Sequence, residues 1–343
     1  MDDRHVVAPA LMLRQLAFVM RASRALAVVA QLGIADLLAR GLRTSSELAA
    51  AVGVDASSLR RLLRALVAHG VFEEEAPDRF VLNPPAELLR QDVPGSQRAG
   101  VLFTAGDLRW KLWSDLAESI RTGEAASERA FGKNIFESHA ENADESALFN
   151  QAMASFSAAL SPPLIAAYDF SKFHTIVDVG GGTGRFLADI LVANPGVSGV
   201  LFDLPNVLTA APLLLEASGV AGRCELVPGS FFESVPAGGD AYVMKVVIHD
   251  WDDARAVSIL ANCRKAMDRA GSLLIVDRVM PEKAESGQAA ESYLLDLEML
   301  VLTPGGRERT EAEFRSMLAS AGFALKQIVP TAAPVSIIEA SPV

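Results

Sequence analysis

Short apolar runs alternate with helical patterns through the second half of the chain, and this alternation constrains the fold more than any other feature. We interpret five runs as strands: 176–179, 200–203, 224–227, 242–248 and 272–276. Three stretches between them have helical patterns: 186–193, 207–215 and 257–267. Mostly apolar strands separated by helices are typical of a parallel sheet that helices cover on both faces. The sequence therefore predicts an α/β fold with a doubly wound sheet, to which 323–329 and 335–340 add an antiparallel pair.

The first hundred residues have a different pattern, which is typical of a winged helix. Residues 9–40 carry apolar side chains at helical spacing. Thr44-Ser45-Ser46-Glu47 is a capping box for a helix that runs through Ala51, and Asp55 caps a second helix at 57–68. A β-hairpin is expected at 71–74 and 79–82. We expect a winged-helix dimerisation domain at 1–100 and a catalytic domain at 101–343, whose helical segment 101–170 contributes to a substrate pocket.

A winged helix can also bind DNA, and the second helix carries Arg60, Arg61 and Arg64. The net charge of −11 argues against a phosphate backbone as the main partner, because such binding needs clustered Lys and Arg. A dimerisation module is therefore favoured, and a DNA-binding regulator that senses a small molecule is the alternative. We expect no nucleic acid as a partner.

Several sequence features argue against a membrane, a metal or a disulfide. The longest apolar stretch, 25–39, is interrupted by Gln31, Gly33 and Asp36, which favours a buried helix over a membrane span. The N-terminus lacks the pattern of a signal peptide, so we expect a cytoplasmic protein. The two cysteines, Cys224 and Cys263, have no metal-ligand spacing.

A glycine-rich segment, 178–184, follows the first strand of the sheet and precedes its first helix. Ligands of open parallel sheets bind at the carboxyl ends of the strands. Glycines such as Gly180 and Gly182 let a ligand approach the backbone, and a helix N-terminus favours a negative group. Asp203 ends the second strand, where a carboxylate can bind a ribose hydroxyl pair. The segment therefore indicates a nucleotide-containing ligand.

The residues around this loop favour S-adenosylmethionine over other nucleotides. A dinucleotide motif G-x-G-x-x-G would need glycine where Arg185 stands, and no phosphate-binding G-x-x-x-x-G-K-[ST] pattern is present in the sequence. Asp178 suits an ammonium group better than a pyrophosphate. S-adenosylmethionine carries an ammonium, a carboxylate, a ribose and an adenine, and no phosphate. We therefore expect it as the cofactor, with S-adenosylhomocysteine as its product and without a metal.

The fourth strand leads into a segment, 245–253, at the same edge of the sheet. It contains His249, and the unperturbed pKa of a histidine suits proton abstraction near neutral pH. A phenol becomes a good nucleophile once its proton is removed. Asp277 and Glu308 are candidates for the carboxylate that orients such a base. The structural alternative is a histidine that only bonds to Asp250 or to backbone.

Taken together, these motifs resemble the small-molecule O-methyltransferases, which include plant caffeate and flavonoid enzymes, acetylserotonin methyltransferase, and bacterial enzymes for anthracyclines and phenazines. The resemblance covers essentially the whole chain. Its motifs are the winged helix, the segment 178–184, Asp203-Leu204-Pro205, Gly229-Ser230-Phe231-Phe232, His249-Asp250-Trp251 and the segment 305–310. It implies a Rossmann-like class I methyltransferase domain after the dimerisation domain, and a homodimer.

The resemblance also implies roles for individual residues. For the cofactor it implies Asp178, Gly180, Gly182, Asp203, Leu204, Ser230, Phe231, Lys245 and Met153. Phe231 would lie against the adenine and Lys245 near the methionine end. His249 would be the base, flanked by Asp277 and Glu308. Phe149, Asn150 and Met153 match a helix that borders cofactor and substrate, and the helical regions add Phe103, Trp110 and Met299 as pocket candidates, for which core packing is the alternative.

Two positions depart from the family pattern. Ser230 replaces the usual aspartate, which weakens a polar contact with the adenosyl group. Asp277 replaces the glutamate of the plant enzymes and is one methylene shorter, which shifts weight to Glu308. We expect methylation of a hydroxyl on a small aromatic molecule. The alternatives are N-methylation of an aromatic nitrogen, which needs no deprotonation, and a hydroxylase of the same family that retains the cofactor.

Overall fold

A computed structural model describes residues 9–343, apart from the side chain of Ala140. The helices are α1 (Pro9–Gln31), α2 (Ile34–Ala39), α3 (Ser45–Val52), α4 (Ala56–Ala68), α5 (Pro84–Glu87), α6 (Arg98–Ala105), α7 (Asp107–Trp113), α8 (Leu116–Thr122), α9 (Ala126–Phe131), α10 (Ile135–Glu141), α11 (Ala143–Ala167), α12 (Arg185–Ala193), α13 (Pro205–Leu208), α14 (Ala211–Ala217), α15 (Asp253–Ala266), α16 (Ala290–Leu302) and α17 (Glu311–Ser320). The strands are β1 (Glu73–Ala76), β2 (Arg79–Val81), β3 (Thr175–Val179), β4 (Ser198–Asp203), β5 (Cys224–Pro228), β6 (Ala241–Lys245), β7 (Ser272–Asp277), β8 (Val279–Met280), β9 (Arg309–Thr310), β10 (Phe323–Val329) and β11 (Ser336–Pro342). The chain divides into two compact units, one ending at Trp110 and one spanning Lys111–Val343.

The first unit contains the expected helix–turn–helix and hairpin. Thr44 and Glu47 form a reciprocal capping box at α3, and the Asp55 side chain accepts from the Ser58 backbone N–H at the start of α4. Strand β1 begins two residues later than expected, because Phe72 has a φ of 69° and forms part of a turn. The Asn83 side chain accepts from the Phe72 backbone N–H at 3.1 Å and stabilises that turn.

Two of the three arginines on α4 are paired within this unit. Arg60 lies 3.4 Å from Asp78, and Arg64 lies 3.1 Å from Glu74. Both acidic partners belong to the hairpin, so these ion pairs join α4 to the wing. Side chains held in this way are poor candidates for a DNA-reading surface.

Helix α1 has an apolar surface that faces solvent within its unit. Seven large apolar side chains of its first half are exposed: Leu11, Met12, Leu13, Leu16, Phe18, Val19 and Met20. Its second half, including Val29, is buried against the rest of the unit. Among residues 9–343, no helix is both long and apolar enough to cross a bilayer. An exposed apolar stripe of this size is typical of a protein–protein contact.

The second unit contains a seven-stranded sheet with the order β10-β11-β7-β6-β3-β4-β5. Five strands, β3 to β7, pair in parallel, and β11 runs antiparallel to β7 and to β10. This confirms the expected doubly wound, mostly parallel sheet with a terminal antiparallel pair. The strand order reverses between β3 and β6, so the ligand-binding crevice of such a sheet lies beyond their carboxyl ends.

Several of the expected elements have different bounds in the structure. The fourth strand was expected to reach Ile248, but β6 ends at Lys245 because Val246 has a φ of 58°. A 3-10 turn, Ile248–Asp250, follows it. The helix expected at 207–215 is split into α13 and α14, and α14 restarts with a proline in its first turn. The helical region after residue 97 is divided into six helices, α6 to α11, several of which end at glycines.

Candidate active site

The glycine segment forms a tight loop between β3 and α12 that only small residues can occupy. Gly180, Gly182 and Gly184 have φ values of 71°, 63° and 83°, in the left-handed region that favours glycine. A Cβ at Gly181 would lie 2.5 Å from Asp178 Oδ2 and would also collide with Leu201. The loop is therefore held close to the end of β3, with the N-terminus of α12 beyond it.

Asp178 lies at the end of β3 and is almost fully buried, with 1% of its surface exposed. Neither of its carboxylate oxygens has a hydrogen-bond partner among the described residues. Burial raises the pKa of this carboxyl to about 7, with the positive charge of Lys245 acting in the opposite direction. A buried carboxylate without a donor is unfavourable unless a ligand supplies one. This orphaned carboxylate fits an ammonium group of a bound ligand.

Asp203 ends β4 on the other side of the glycine loop. Its Oδ2 accepts from the Gly182 backbone N–H at 2.8 Å, and its Oδ1 accepts from the Leu204 backbone N–H at 2.7 Å. Burial raises the pKa of this carboxyl, whereas the two backbone bonds lower it. Each oxygen retains a lone pair, so the carboxylate can also accept from a ribose hydroxyl pair.

The segment after β5 carries Ser230 and Phe231. The Ser230 hydroxyl accepts weakly from the Phe232 backbone N–H at 3.3 Å. The side-chain amide of Asn262 on α15 donates to the carbonyl oxygens of Phe231 and Phe232, both at 3.0 Å. The Phe231 ring lies close to the glycine loop, because a Cβ at Gly180 would be 3.3 Å from it. Asn262, which the sequence analysis missed, therefore holds this segment in place.

Lys245 ends β6, and its ammonium group lies 5.9 Å from the centre of the Phe186 ring. Burial lowers its pKa, while the negative charges of Asp178 and Asp277 raise it. A lysine between these two carboxylates partly balances their charge at the carboxyl edge of the sheet.

His249 lies in the 3-10 turn after β6 and is 6% exposed. Its Nδ1 is 2.8 Å from Glu308 Oε1, and its Nε2 is 3.6 Å from Asp250 Oδ1. Burial alone would lower the pKa of His249, but the charges of Asp250, Asp277 and Glu308 outweigh it and raise that pKa to about 10. An ionised carboxylate only accepts, so we assign the proton of the Glu308 bond to Nδ1.

Asp277 ends β7, the neighbour of β6, and is 1% exposed. Neither of its oxygens has a hydrogen-bond partner among residues 9–343. Burial raises its pKa to about 7, the positive charge of His249 opposes this, and the charge of Glu308 adds to it. Asp277 thus acts on His249 through its charge, whereas Glu308 is directly bonded to the imidazole.

The loop after α16 brings Glu308 to the histidine. Asp296 Oδ1 accepts from the Glu308 backbone N–H at 2.8 Å, and the His249 carbonyl accepts from the Arg307 backbone N–H at 2.8 Å. Gly306 allows this approach, because a Cβ there would lie 2.5 Å from the His249 carbonyl oxygen. Neither Asp296 nor the role of Gly306 was identified from the sequence.

A row of packed aromatic rings, which we call the aromatic wall, leads from Phe231 towards α11. It comprises Phe231, Phe232, Trp251, Phe136 and Phe149. Trp251 makes edge contacts with Phe231 and Phe232 at 6.1 Å and 4.8 Å between ring centres, and its other neighbour is Phe136 at 5.4 Å. Phe136 contacts Phe149 edge-on at 6.2 Å. Trp251 is buried in the core, whereas Phe136 and Phe149 are partly exposed.

The remaining pocket candidates differ in their positions. Asn150 and Met153 follow Phe149 on α11 and are half-buried, and Met299 is buried on α16. Phe103 and Trp110 belong to the first unit, where the Arg109 guanidinium lies 3.8 Å from the Phe103 ring centre. The Trp110 indole donates to the Ala105 carbonyl at 3.1 Å. A substrate-binding role for Phe103 and Trp110 remains a prediction.

Within the described range, no group of three or more His, Cys, Asp or Glu side chains could hold a metal ion.

Comparison with known proteins identifies the family. Residues 113–324 match the O-methyltransferase domain, and residues 14–92 match the O-methyltransferase dimerisation domain. The chain is 42% identical over 321 residues to a phenazine O-methyltransferase, PhzM, of Lysobacter antibioticus, covering 94% of this chain and 93% of the relative.

Two solved structures extend this similarity to the fold. The crystal structure of LaPhzM has a TM-score of 0.93 and 41% identity, covering 98% of this chain and 100% of that one. An O-methyltransferase from neocarzinostatin biosynthesis, solved with S-adenosylmethionine and 2-hydroxy-5-methyl naphthoic acid, has a TM-score of 0.79 and 35% identity, covering 94% and 96%. The chain belongs to the O-methyltransferase family, and its cofactor is S-adenosylmethionine.

Proposed function

We propose that this protein methylates a hydroxyl group of a planar aromatic acceptor and that His249 is the general base. The observation that carries this proposal is the buried bond between His249 Nδ1 and Glu308, at the edge of the sheet that also carries the glycine loop. A methyltransferase that acts on an aromatic nitrogen needs no proton acceptor. A buried imidazole with three carboxylates around it therefore favours an O-methyltransferase.

The cofactor would be held by the residues at the ends of β3 to β6. Asp178 would bind its ammonium group, Asp203 its ribose hydroxyls, and Phe231 would pack against its adenine. The short Ser230 hydroxyl would leave a gap where an aspartate would reach the adenosyl group. When bound, S-adenosylmethionine supplies an electrophilic methyl group on a sulfonium.

His249 would take the acceptor's proton at Nε2, because Glu308 holds the Nδ1 proton. Its raised pKa, about 10, is close to that of an ordinary phenol, also about 10, so the unprotonated imidazole that accepts the proton is a minor species at neutral pH and turnover should rise with pH towards that value. Proton transfer between groups of matched pKa costs little free energy, and the remaining barrier is reduced by orientation. Asp277 and Glu308 would stabilise the imidazolium that results.

The acceptor would be a fused-ring or otherwise extended aromatic molecule with at least one hydroxyl. The partly exposed rings of Phe136 and Phe149 would offer it apolar faces. The names of two relatives support this class, since one acts on a phenazine and one was solved with a naphthoic acid. Met299 on α16 is a further candidate for the lining.

We also propose that the protein works as a homodimer in the cytoplasm. The match to a dimerisation domain and the exposed apolar stripe of α1 support an interface between two copies. Replacing Leu16 and Val19 together by aspartate should shift the mass measured by light scattering from dimer to monomer.

The test of the proposed activity is a screen of hydroxyphenazines, hydroxynaphthoic acids and simple phenols, followed by mass spectrometry. We expect a product heavier by one methylene and an equal amount of S-adenosylhomocysteine. Matched acceptors with the hydroxyl already methylated should not react. Methylation of those blocked acceptors at a ring nitrogen would favour the N-methyltransferase instead, and consumption of acceptor without S-adenosylhomocysteine would favour the hydroxylase.

A further inference from the structure

Arg309 is buried beside the 3-10 turn Ile248–Asp250, which carries His249 and which we call the histidine turn. The proposed reaction gives Arg309 no role. It is 1% exposed and is the largest fully buried side chain among the described residues. A buried guanidinium is unfavourable unless all of its donors are paired. The position of Arg309 therefore requires an explanation.

All five N–H donors of Arg309 are used in the structure. Nη1 donates to the carbonyl of Ile248 at 3.1 Å and to that of Arg307 at 3.4 Å, and Nη2 donates to the carbonyl of Trp251 at 2.8 Å. Nε and Nη2 both donate to Asp253 Oδ1, at 3.0 Å and 2.9 Å. The guanidinium thus binds the main chain on both sides of His249.

Arg309 and Glu308 act on the same turn from one extended segment. Successive side chains of an extended chain point in opposite directions. Glu308 therefore reaches the imidazole of His249, while Arg309 reaches the carbonyls of Ile248 and Trp251. The backbone of Arg309 is fixed in turn, because β9 pairs with β8 next to the end of β7.

The segment 246–251, which contains the turn that Arg309 binds, is strained at its first residue. Val246 has a φ of 58°, which is an unfavourable conformation for a β-branched residue. Such a conformation persists only when surrounding contacts fix it. Unlike the glycine loop, the segment 246–251 contains no glycine. Its shape must therefore come from long-range contacts.

We propose that Arg309 is a positioning residue for the base: its guanidinium fixes the main chain around His249 so that the imidazole remains bonded to Glu308. This inference rests on the proposed role of His249. Arg309 does not contact the imidazole itself. Its effect passes through the carbonyls of Ile248 and Trp251.

The test is the titration of His249 followed by NMR of protein with labelled histidine side chains. The chain has five histidines, and the signal that is missing from the His249→Gln variant identifies the one of interest. Besides Arg309, the charged groups near it are Asp250, Asp277 and Glu308. In the wild type its pKa should lie above the ordinary value of about 6.5. In Arg309→Met it should fall by about one unit or more towards that value.

The direction of the change separates positioning from a simple effect of charge. Removing a nearby cation without disturbing the turn would raise the pKa of His249, whereas releasing the imidazole from Glu308 lowers it. A rise, or no change, would overturn the proposal. So would an ordinary pKa in the wild type, because the bond to Glu308 would then be absent.

A matched control is Arg255→Met. Arg255 also pairs with an aspartate, Asp252, and donates to a loop carbonyl, that of Pro304 at 3.1 Å, but has no bond to the turn. Its loss should leave the titration of His249 unchanged. A shift as large as that of Arg309→Met would mean that the loss of any arginine hydrogen bond in this region has the effect, and would overturn the proposal.

Two further measurements show whether the Arg309→Met variant is folded and whether its catalysis is impaired. Binding of S-adenosylhomocysteine within about threefold of the wild type would show that Arg309→Met is folded. If it is not, Arg309→Lys retains the charge with only three donors, and the same direction of change is expected with a smaller size. With an accepted substrate, kcat should fall by about 100-fold in Arg309→Met at similar KM. The titration of His249 in Arg309→Met needs no acceptor. A fully active His249→Gln variant would therefore refute the role of His249 as the base, while the effect of Arg309 on the His249 pKa could still be measured separately.

Discussion

The glycine loop and the histidine turn lie at the ends of neighbouring strands, yet their shapes have different causes. In the loop after β3, three glycines adopt left-handed φ values directly, and their backbone N–H groups donate to residues of the same βαβ segment. In the turn after β6, a valine adopts a left-handed φ, and the stabilising groups Glu308 and Arg309 lie about sixty residues away in the chain. The first shape is encoded locally, whereas the second depends on tertiary contacts.

This difference predicts which substitutions each region tolerates. The glycine loop is sensitive to added side-chain volume, because a Cβ at Gly181 or Gly184 would collide with Leu201 of β4. The histidine turn is sensitive to the loss of Glu308 and Arg309, the distant residues that stabilise it. The following predictions test that contrast, from the largest expected effect to the smallest.

The largest effect is expected from Glu308→Gln. The variant removes the charge that orients His249 and stabilises its imidazolium, so kcat should fall by about 1000-fold or more. Affinity for S-adenosylhomocysteine should stay within about threefold, measured by calorimetry. Glu311→Gln is the control, since Glu311 pairs only with the exposed Arg315 in the structure, and its kcat should match the wild type. An active Glu308→Gln would show that the turn is not coupled to catalysis through this bond.

Gly181→Ala should have the next largest effect, on cofactor binding. The added Cβ would collide with Asp178 and Leu201, and such overpacking typically costs about 1–3 kcal/mol of stability. Because the collision would displace the Asp178 carboxylate from its position for the ammonium group, we expect S-adenosylhomocysteine to bind about tenfold to 100-fold more weakly, a loss of about 1.4–2.8 kcal/mol of binding free energy.

Gly196→Ala is its control. A Cβ at Gly196 meets no atom within 4 Å, so both binding and the urea midpoint should remain close to those of the wild type. Equal effects of the two substitutions would refute the view that close packing at Gly181 matters.

Asp178 predicts a pH dependence for cofactor binding. Its pKa is raised to about 7, so below that pH it holds a proton that an incoming ammonium group must displace. Affinity for S-adenosylhomocysteine should therefore weaken as pH falls below about 7, by up to tenfold per unit. In Asp178→Asn the affinity should be lower than that of the wild type above pH 7, approach it well below pH 7, and show no such pH dependence. A steep dependence that survives in the variant would assign it to another group, such as Asp203.

The smallest effect is expected from Val246→Gly. Glycine removes the strain of the left-handed φ but increases the freedom of the unfolded chain, and each of these contributions is about 1 kcal/mol. The free energy of unfolding, measured with urea, should change by less than about 1 kcal/mol. A loss above about 2 kcal/mol would mean that the turn depends on the valine side chain rather than on its distant partners.

The sequence was sufficient for the regions whose signals are local. Alternating apolar runs predicted the sheet, and Thr44 and Asp55 predicted the start of two helices. The glycine loop and Asp203 were recognised because each lies at the end of an apolar strand. Residues that act across long distances left no such signal: Asn262 resembles any helical asparagine, and Arg309 any arginine next to a glutamate.

The end of β6 illustrates the same limit. The apolar run predicted a strand to Ile248, because nothing in the valines at 246 and 247 indicates a turn. The structure stops the strand at Lys245, and tertiary contacts impose the turn that follows. The sequence named Asp277 and Glu308 as partners of His249 and placed more weight on Glu308, which bonds to the imidazole in the structure. It left both open because which carboxylate reaches the ring depends on loop geometry.

The central claim, that His249 removes the proton of the acceptor hydroxyl, is tested most directly by comparing the wild type with His249→Gln on acceptors of graded acidity. For a hydroxyl with a pKa near 10, the variant should lose about 100-fold to 10,000-fold in kcat. For a hydroxyl that is already ionised at the assay pH, the two enzymes should be nearly equal, with unchanged affinity for S-adenosylhomocysteine. A loss of the same size for every acceptor, or no loss for any, would contradict the role of His249 as the base.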